Sequence, residues 1–115
     1  MNWPEDEYKE DPEKLKRHYD ERAKYGFSEF DWWSFDTYIT GVIGNAVKQF
    51  GNGRGYPGGF TQESWTAFCN EVSEPLIKFS DKQFTCETHE EEQALFDEAK
   101  KAMMKFSEHL GAWWD

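Results

Sequence analysis

Apolar residues recur along the chain at helical spacing, and no segment shows sustained alternation, so the pattern predicts an all-α fold. A first helix begins at "DPEKLKRHYDERAKYG", with Asp11 as N-cap, Pro12 in the first turn and Gly26 as the stop. Leu15, Tyr19 and Ala23 repeat every four and predict a narrow buried stripe. The second helix is expected to run as one rod over residues 29–50, capped by Ser28 or Asp31. Phe35, Ile39, Val42, Ile43, Ala46, Val47 and Phe50 share a wide face of it, with Gly41, Gly44 and Lys48 opposite. The glycines have a second reading, in which they let a neighbouring helix come close.

"GNGRGYPGG", residues 51–59, is dense in turn formers and predicts a loop. Thr61 then caps a third helix with Trp65, Phe68, Cys69, Val72, Leu76 and Phe79 on one side. Pro75 falls inside it, and a kink or break is expected near Glu74. "SDKQFTCE" reads as a connector. Thr88 and Glu91 form a capping box for a fourth helix, whose stripe is Leu95, Ala99, Ala102, Met103, Phe106, Leu110 and Trp113. Acids crowd its start and lysines follow, the order the helix dipole favours. Gly111 should end it, with at least one of Trp113 and Trp114 packing back on the body. The architecture expected is a compact bundle of about four helices, the second one central. A Gly-rich loop joins helices 2 and 3, and residues 1–10 form a loose arm on a single domain spanning 1–115.

Charge sharpens this picture. The chain carries 23 acids against 13 Lys and Arg, a formal net charge of −10. That sign argues against direct nucleic-acid binding and suits a basic partner. Yet residues 37–60 hold no acid, only Lys48 and Arg54. An aromatic share of 18% argues against disorder. The opening "MNWPEDEYKED" lacks the pattern of a signal peptide, and no apolar run reaches membrane-spanning length. Cys69 and Cys86 have no metal-type spacing, so a cytoplasmic protein with reduced cysteines is expected.

The candidate chemistry starts at "DWWSFDTY", residues 31–38. N-capping accounts for Asp31. Asp36 projects into the apolar face, between the angles of Ile43 and Val47, so a hidden acid is expected there. Its plain reading is a structural anchor; its functional reading is the floor of a pocket walled by Trp32, Trp33 and Tyr38. "GRGYPG" fits the letters of a dinucleotide fingerprint, but a helix rather than a strand precedes it, so that reading is rejected. An acid-free loop with Arg54 and Tyr56 remains, able to hold an anion or simply to connect two helices. "ETHEEE" around His89 lacks the Glu-x-x-His spacing of a helical metal site, so no metal and no cofactor are expected. No nucleophile motif appears and Cys69 lies on an apolar face, so no catalytic residue is assigned and no enzyme is expected.

The aromatic motifs resemble those of a family of small proteins encoded by bacteriophages and prophages. Gly26, Phe27, Ser28, Asp31, Trp33, Phe35, Asp36, Tyr38 and Ile39 carry the likeness. "GYP" at 55–57, Thr61 with Trp65, and Phe106, Leu110, Trp113 and Trp114 at the end complete it. It covers roughly residues 25–115, departs at Pro75 and in the first helix, and brings no activity with it. The resemblance implies a protein acting in an infected bacterial cell. The expected function is non-enzymatic binding: an acidic surface that occupies or inhibits a host protein with a basic surface, of the defence type. Two alternatives stand beside it. One is an oligomer that sequesters a small nucleotide ligand, with Trp32, Trp33 and Tyr56 stacking its base, Arg54 holding phosphate and Asp36 adding specificity. The other is a minor virion or assembly component. A homo-oligomer is compatible with each.

Overall fold

The computed structural model describes residues 8–113. Most of the expected N-terminal arm and Trp114 lie outside the described residues; residues 8–10 form a turn. Among the described residues five α-helices follow: α1 (Pro12–Tyr25), the one-turn α2 (Glu29–Trp32), α3 (Phe35–Asn52), α4 (Gln62–Lys82) and α5 (His89–Glu108). Short 3-10 turns occupy Gln83–Thr85 and Leu110–Ala112. The fold is an all-α bundle, flattened to 50 × 36 × 19 Å. No helix among the described residues is long and apolar enough to cross a membrane.

The helix at the centre is α4, not the one expected. It packs antiparallel against α3 on one side and α5 on the other. Val47, Trp65, Cys69, Val72, Leu76, Phe79, Ala99 and Ala102 form the core, and five of the eight come from α4. Pro75 does not break α4, which runs through it as one helix. A proline inside a helix costs about 3 kcal/mol, and burial of Val72, Leu76 and Phe79 around it more than offsets that.

The expected single rod over 29–50 is two helices. Trp33 and Ser34 separate them, and α3 continues two residues past Phe50, so Gly51 and Asn52 are helical rather than loop. The buried face of α3 also differs from the apolar one. Thr37, Thr40, Gly44, Val47 and Gly51 are buried, whereas Phe35, Val42 and Ala46 are exposed. Close approach is the reason. A Cβ on Gly51 would lie 2.6 Å from Cys69 Cβ, and one on Gly44 2.9 Å from Ile77 Cγ1. Two side chains stitch the seam: the Ser80 hydroxyl donates to Thr37 O at 2.7 Å and the Thr66 hydroxyl to Gly51 O at 2.8 Å. The second reading of the glycines holds, and the side they occupy is the contact side.

The ends of α5 carry smaller corrections. Thr88 accepts from the Glu91 amide, but the Glu91 carboxylate accepts from the Glu87 amide, so the expected reciprocal box is not closed. The helix stops at Glu108, before Gly111, and Leu110 is exposed. Trp113 does pack back: its indole N–H donates to Phe106 O at 2.9 Å, satisfying a carbonyl at the helix end. Its ring lies against Phe50, Trp65, Phe68 and Phe106. In α1 the buried residue is His18; Leu15 is half-buried, while Tyr19 and Ala23 are exposed.

Gly44→Val should lower stability by about 1–3 kcal/mol, since three atoms of α4 stand in the way of the new side chain. Gly111→Ala, whose methyl meets nothing within 4 Å, should stay within about 0.5 kcal/mol. Urea midpoints of the two variants against the parent chain check both.

Candidate functional site: an aromatic elbow between α1 and α3

The chain turns sharply between α1 and α3, and local chemistry dictates how. Gly26 ends α1 in the left-handed region at φ 84°, which glycine reaches without a Cβ clash. Ser28 then starts α2 with a capping box: its hydroxyl accepts from the Asp31 amide, and the Asp31 carboxylate accepts from the Ser28 amide at 2.9 Å. The same carboxylate takes two hydrogen bonds from Arg22 of α1, Nε at 2.8 Å and Nη2 at 2.6 Å. Arg22 also lies 5.0 Å from the Tyr38 ring centroid, and the Tyr38 hydroxyl donates to Gly26 O at 2.6 Å.

Asp31 is therefore the hidden acid, with 4% of its surface exposed. Burial alone pushes its carboxyl up. The Arg22 hydrogen bonds, the Ser28 amide, the Arg22 charge and the Ser28 hydroxyl together outweigh burial and hold it below the ordinary 3.8. Capping explains only part of its role, and the fork to Arg22 was not read from the sequence. The i, i+9 spacing across a glycine stop was its only trace.

His18 and Ser28 complete a buried cluster, His18 Nδ1 lying 2.5 Å from Ser28 Oγ. Ser, His and Asp thus meet, but in an order that does no acyl chemistry. Serine sits between the other two, donating to Asp31 Oδ2 at 3.1 Å, and is 1% exposed. A nucleophilic triad needs the histidine in the middle and the hydroxyl open to substrate. The cluster is structural.

What the elbow presents outward is aromatic. Tyr25, Phe27 and Trp32 line one depression of about 360 Å³ together with Glu21 and Glu29. Phe27 meets Phe35 edge-on at 5.7 Å, and Trp32 meets Trp33 at the same separation. The five rings are 39–75% exposed, Trp33 the most. With each ring worth about 200 Å², roughly 550 Å² of aromatic surface faces solvent. That lies at the top of the range for the largest apolar patch on a monomer, and such patches are often functional. The surface continues along α3 through Val42, 47% exposed, on the side turned away from α4.

The other expected site residues fall elsewhere. Asp36 is exposed and its Oδ1 accepts from the Thr37 amide, so the expected hidden acid with a pocket above it is not present at that position. The reason is which side α4 covers. α4 reaches this level, since Ser80 donates to Thr37 O, but it lies over the side of Thr37, Thr40 and Gly44, and Asp36 falls about 100° from Thr37 around the helix. Arg54 and Tyr56 lie in the loop after α3, and Trp32 and Trp33 before it. The 18 residues of α3 place these groups about 27 Å apart, so no single small ligand touches both.

Among the described residues no three His, Cys, Asp or Glu side chains group as a metal site. A cavity of about 770 Å³ is a groove between α4 and α5 where Lys78, Lys82, Lys101 and Lys105 alternate with Glu71, Glu74, Glu91 and Glu98. Burial pushes the Cys69 thiol up to about 11, whereas Cys86 is only half-buried. No family model matches the chain, and neither does any curated protein or solved structure.

Two outcomes follow from these environments. Asp31 has a folded pKa below its unfolded one, so its contribution is present above about pH 4 and fades as pH falls through the lower folded value. Asp31→Asn should cost about 1.5–3 kcal/mol at pH 7 and less at pH 3, read from urea unfolding at both. Iodoacetamide should alkylate Cys86 in the native chain and leave Cys69 unmodified until denaturant is added, as counted by mass spectrometry.

Proposed function

We propose that this chain is a non-enzymatic binding protein that docks its aromatic elbow into an apolar, basic-rimmed cleft of a partner protein. The observation that carries the reading is the contiguity of five exposed rings, two of them tryptophan, on a folded and well-tied turn. Tryptophan and tyrosine dominate binding energetics where they can be desolvated in a partner's pocket. Glu21 and Glu29 line the depression, Glu29 paired with Arg17 at 3.3 Å, on a chain whose net charge is −10. Complementary basic groups on the partner would speed association and set register. Adding Val42 and its neighbours on α3 brings the surface towards the ~800 Å² per partner of a standard interface. In the infected bacterial cell that the family resemblance implies, the partner would be a host protein of the defence type.

Immobilised chain should retain one protein from host lysate, and the retained amount should fall between 50 and 500 mM salt. The Trp32→Ala, Trp33→Ala double variant should lose at least tenfold in affinity with an unchanged circular dichroism spectrum. Both side chains are largely exposed, so the fold does not depend on them. Equal retention by the double variant, or no retained protein at all, overturns the proposal.

A further inference from the structure

At the opposite end of α3 from the elbow, a cavity of about 710 Å³ opens between the α3 C-terminus, the loop after it and the turn before Trp113. Its size matches the 300–1,000 Å³ of small-molecule sites. Phe50, Tyr56 and Trp65 supply three rings to its lining, Trp65 from the buried core and Tyr56 from the exposed loop. Not one lining residue carries a charge, on a chain with 36 charged Asp, Glu, Lys and Arg side chains. Arg54, placed by its sequence position as a phosphate clamp, is not among the lining residues. Polar groups are present nonetheless. Gln49 brings a side-chain amide, and Gly55, Tyr56 and Gly58 bring loop backbone. Among the described residues, hydrogen bonds engage the backbone of Gly51, Gly53, Pro57 and Phe60 around this loop, and none engages Gly55, Tyr56 or Gly58.

We infer that this cavity binds a neutral, planar heteroaromatic molecule, the class that includes nucleobases and uncharged nucleosides. Tyr56, 55% exposed, and the half-buried Phe50 offer ring surface on which such a molecule stacks, an interaction worth about 1–3 kcal/mol per base, while Trp65, 2% exposed and packed on Phe68 and Trp113, only backs the cavity. The Gln49 amide and the unengaged loop backbone offer both donors and acceptors to its polar edge. A charged ligand would find no charged lining residue to replace the hydration it loses there. The site therefore reads the ring and not a phosphate. Its loop rings lie at the opposite end of α3 from the elbow tryptophans, although its lining begins at Ala46, one turn beyond Val42.

Calorimetric titration of the full chain with adenosine, guanosine, cytidine, uridine, indole and adenosine monophosphate tests this. At least one uncharged probe should bind saturably at one site, and the monophosphate should bind no tighter than adenosine. Tyr56→Ala should weaken that binding about tenfold or more by removing a stacking face. Ala46→Phe, at an exposed lining position, should block it by filling the cavity. Thermal melts of both variants establish that they fold. The elbow double variant should bind the probe like the parent chain, which keeps this result separate from the partner experiment. No saturable binding by any uncharged probe up to millimolar concentration overturns the inference. So does unaltered binding by both cavity variants, or tighter binding of the monophosphate.

Discussion

The fork from Arg22 to Asp31 is the contact on which the outward face of this molecule rests. α1 packs chiefly on α2, and α2 is a single turn, too short to be stable in isolation. At the centre of what holds the two together is one buried carboxylate that accepts from the guanidinium, the Ser28 amide and the Ser28 hydroxyl at once, with His18 on Ser28 and Arg17 on Glu29 beside it. A bidentate arginine pair fixes orientation as well as distance. With that geometry set, Gly26 must turn left-handed, Tyr38 reaches back to its carbonyl, and Tyr25, Phe27, Trp32 and Trp33 are left facing water. The exposed rings are thus a by-product of a polar clamp. The clamp is affordable because each oxygen of the buried carboxylate finds a donor, Oδ2 three of them.

The second organising fact is an exchange of roles between the two sides of α3. Hydrophobic burial usually decides which side of a helix turns inward. Here backbone proximity decides instead. Gly41, Gly44 and Gly51, with Thr37 and Thr40, let α4 approach until the Ser80 and Thr66 hydroxyls reach carbonyls of the facing helix. Dispersion between closely packed backbones and two cross-helix hydrogen bonds replace the area that larger side chains would have buried. The larger side chains Phe35 and Val42 are left on the outer side, where they extend the aromatic elbow into a longer apolar surface.

These two facts also mark how far the sequence could be read. Caps were legible, because capping is local chemistry: Asp11, Pro12, Gly26, Ser28, Thr61 and Thr88 all act as their residue types predict. The α4 and α5 stripes were legible because one side of each is large and apolar. Periodicity reports which side of a helix is apolar but not which side a neighbour covers. Asp36 therefore looked hidden, while Asp31, whose partner lies on another helix, looked ordinary. Nor does periodicity distinguish a glycine on an idle side from one at a contact. Pro75 misled for the opposite reason, since its local cost is real and only the tertiary burial around it shows that the helix survives. Of the expected site, Trp32 and Trp33 stand together on the elbow. Arg54 and Tyr56 belong to the far end, and only Tyr56 lines a cavity there.

The flattened shape carries one more consequence. α4 lies between two helices and supplies most of the core, whereas α1 hangs from the body by its clamp and the buried His18. Such a molecule opens in stages: α1 can part as an annex while the three long helices remain folded. Backbone amides of α1 then exchange with solvent well ahead of those of α4. A protein seated on the elbow would bridge annex and body, and would slow the exchange of α1 without contacting most of it.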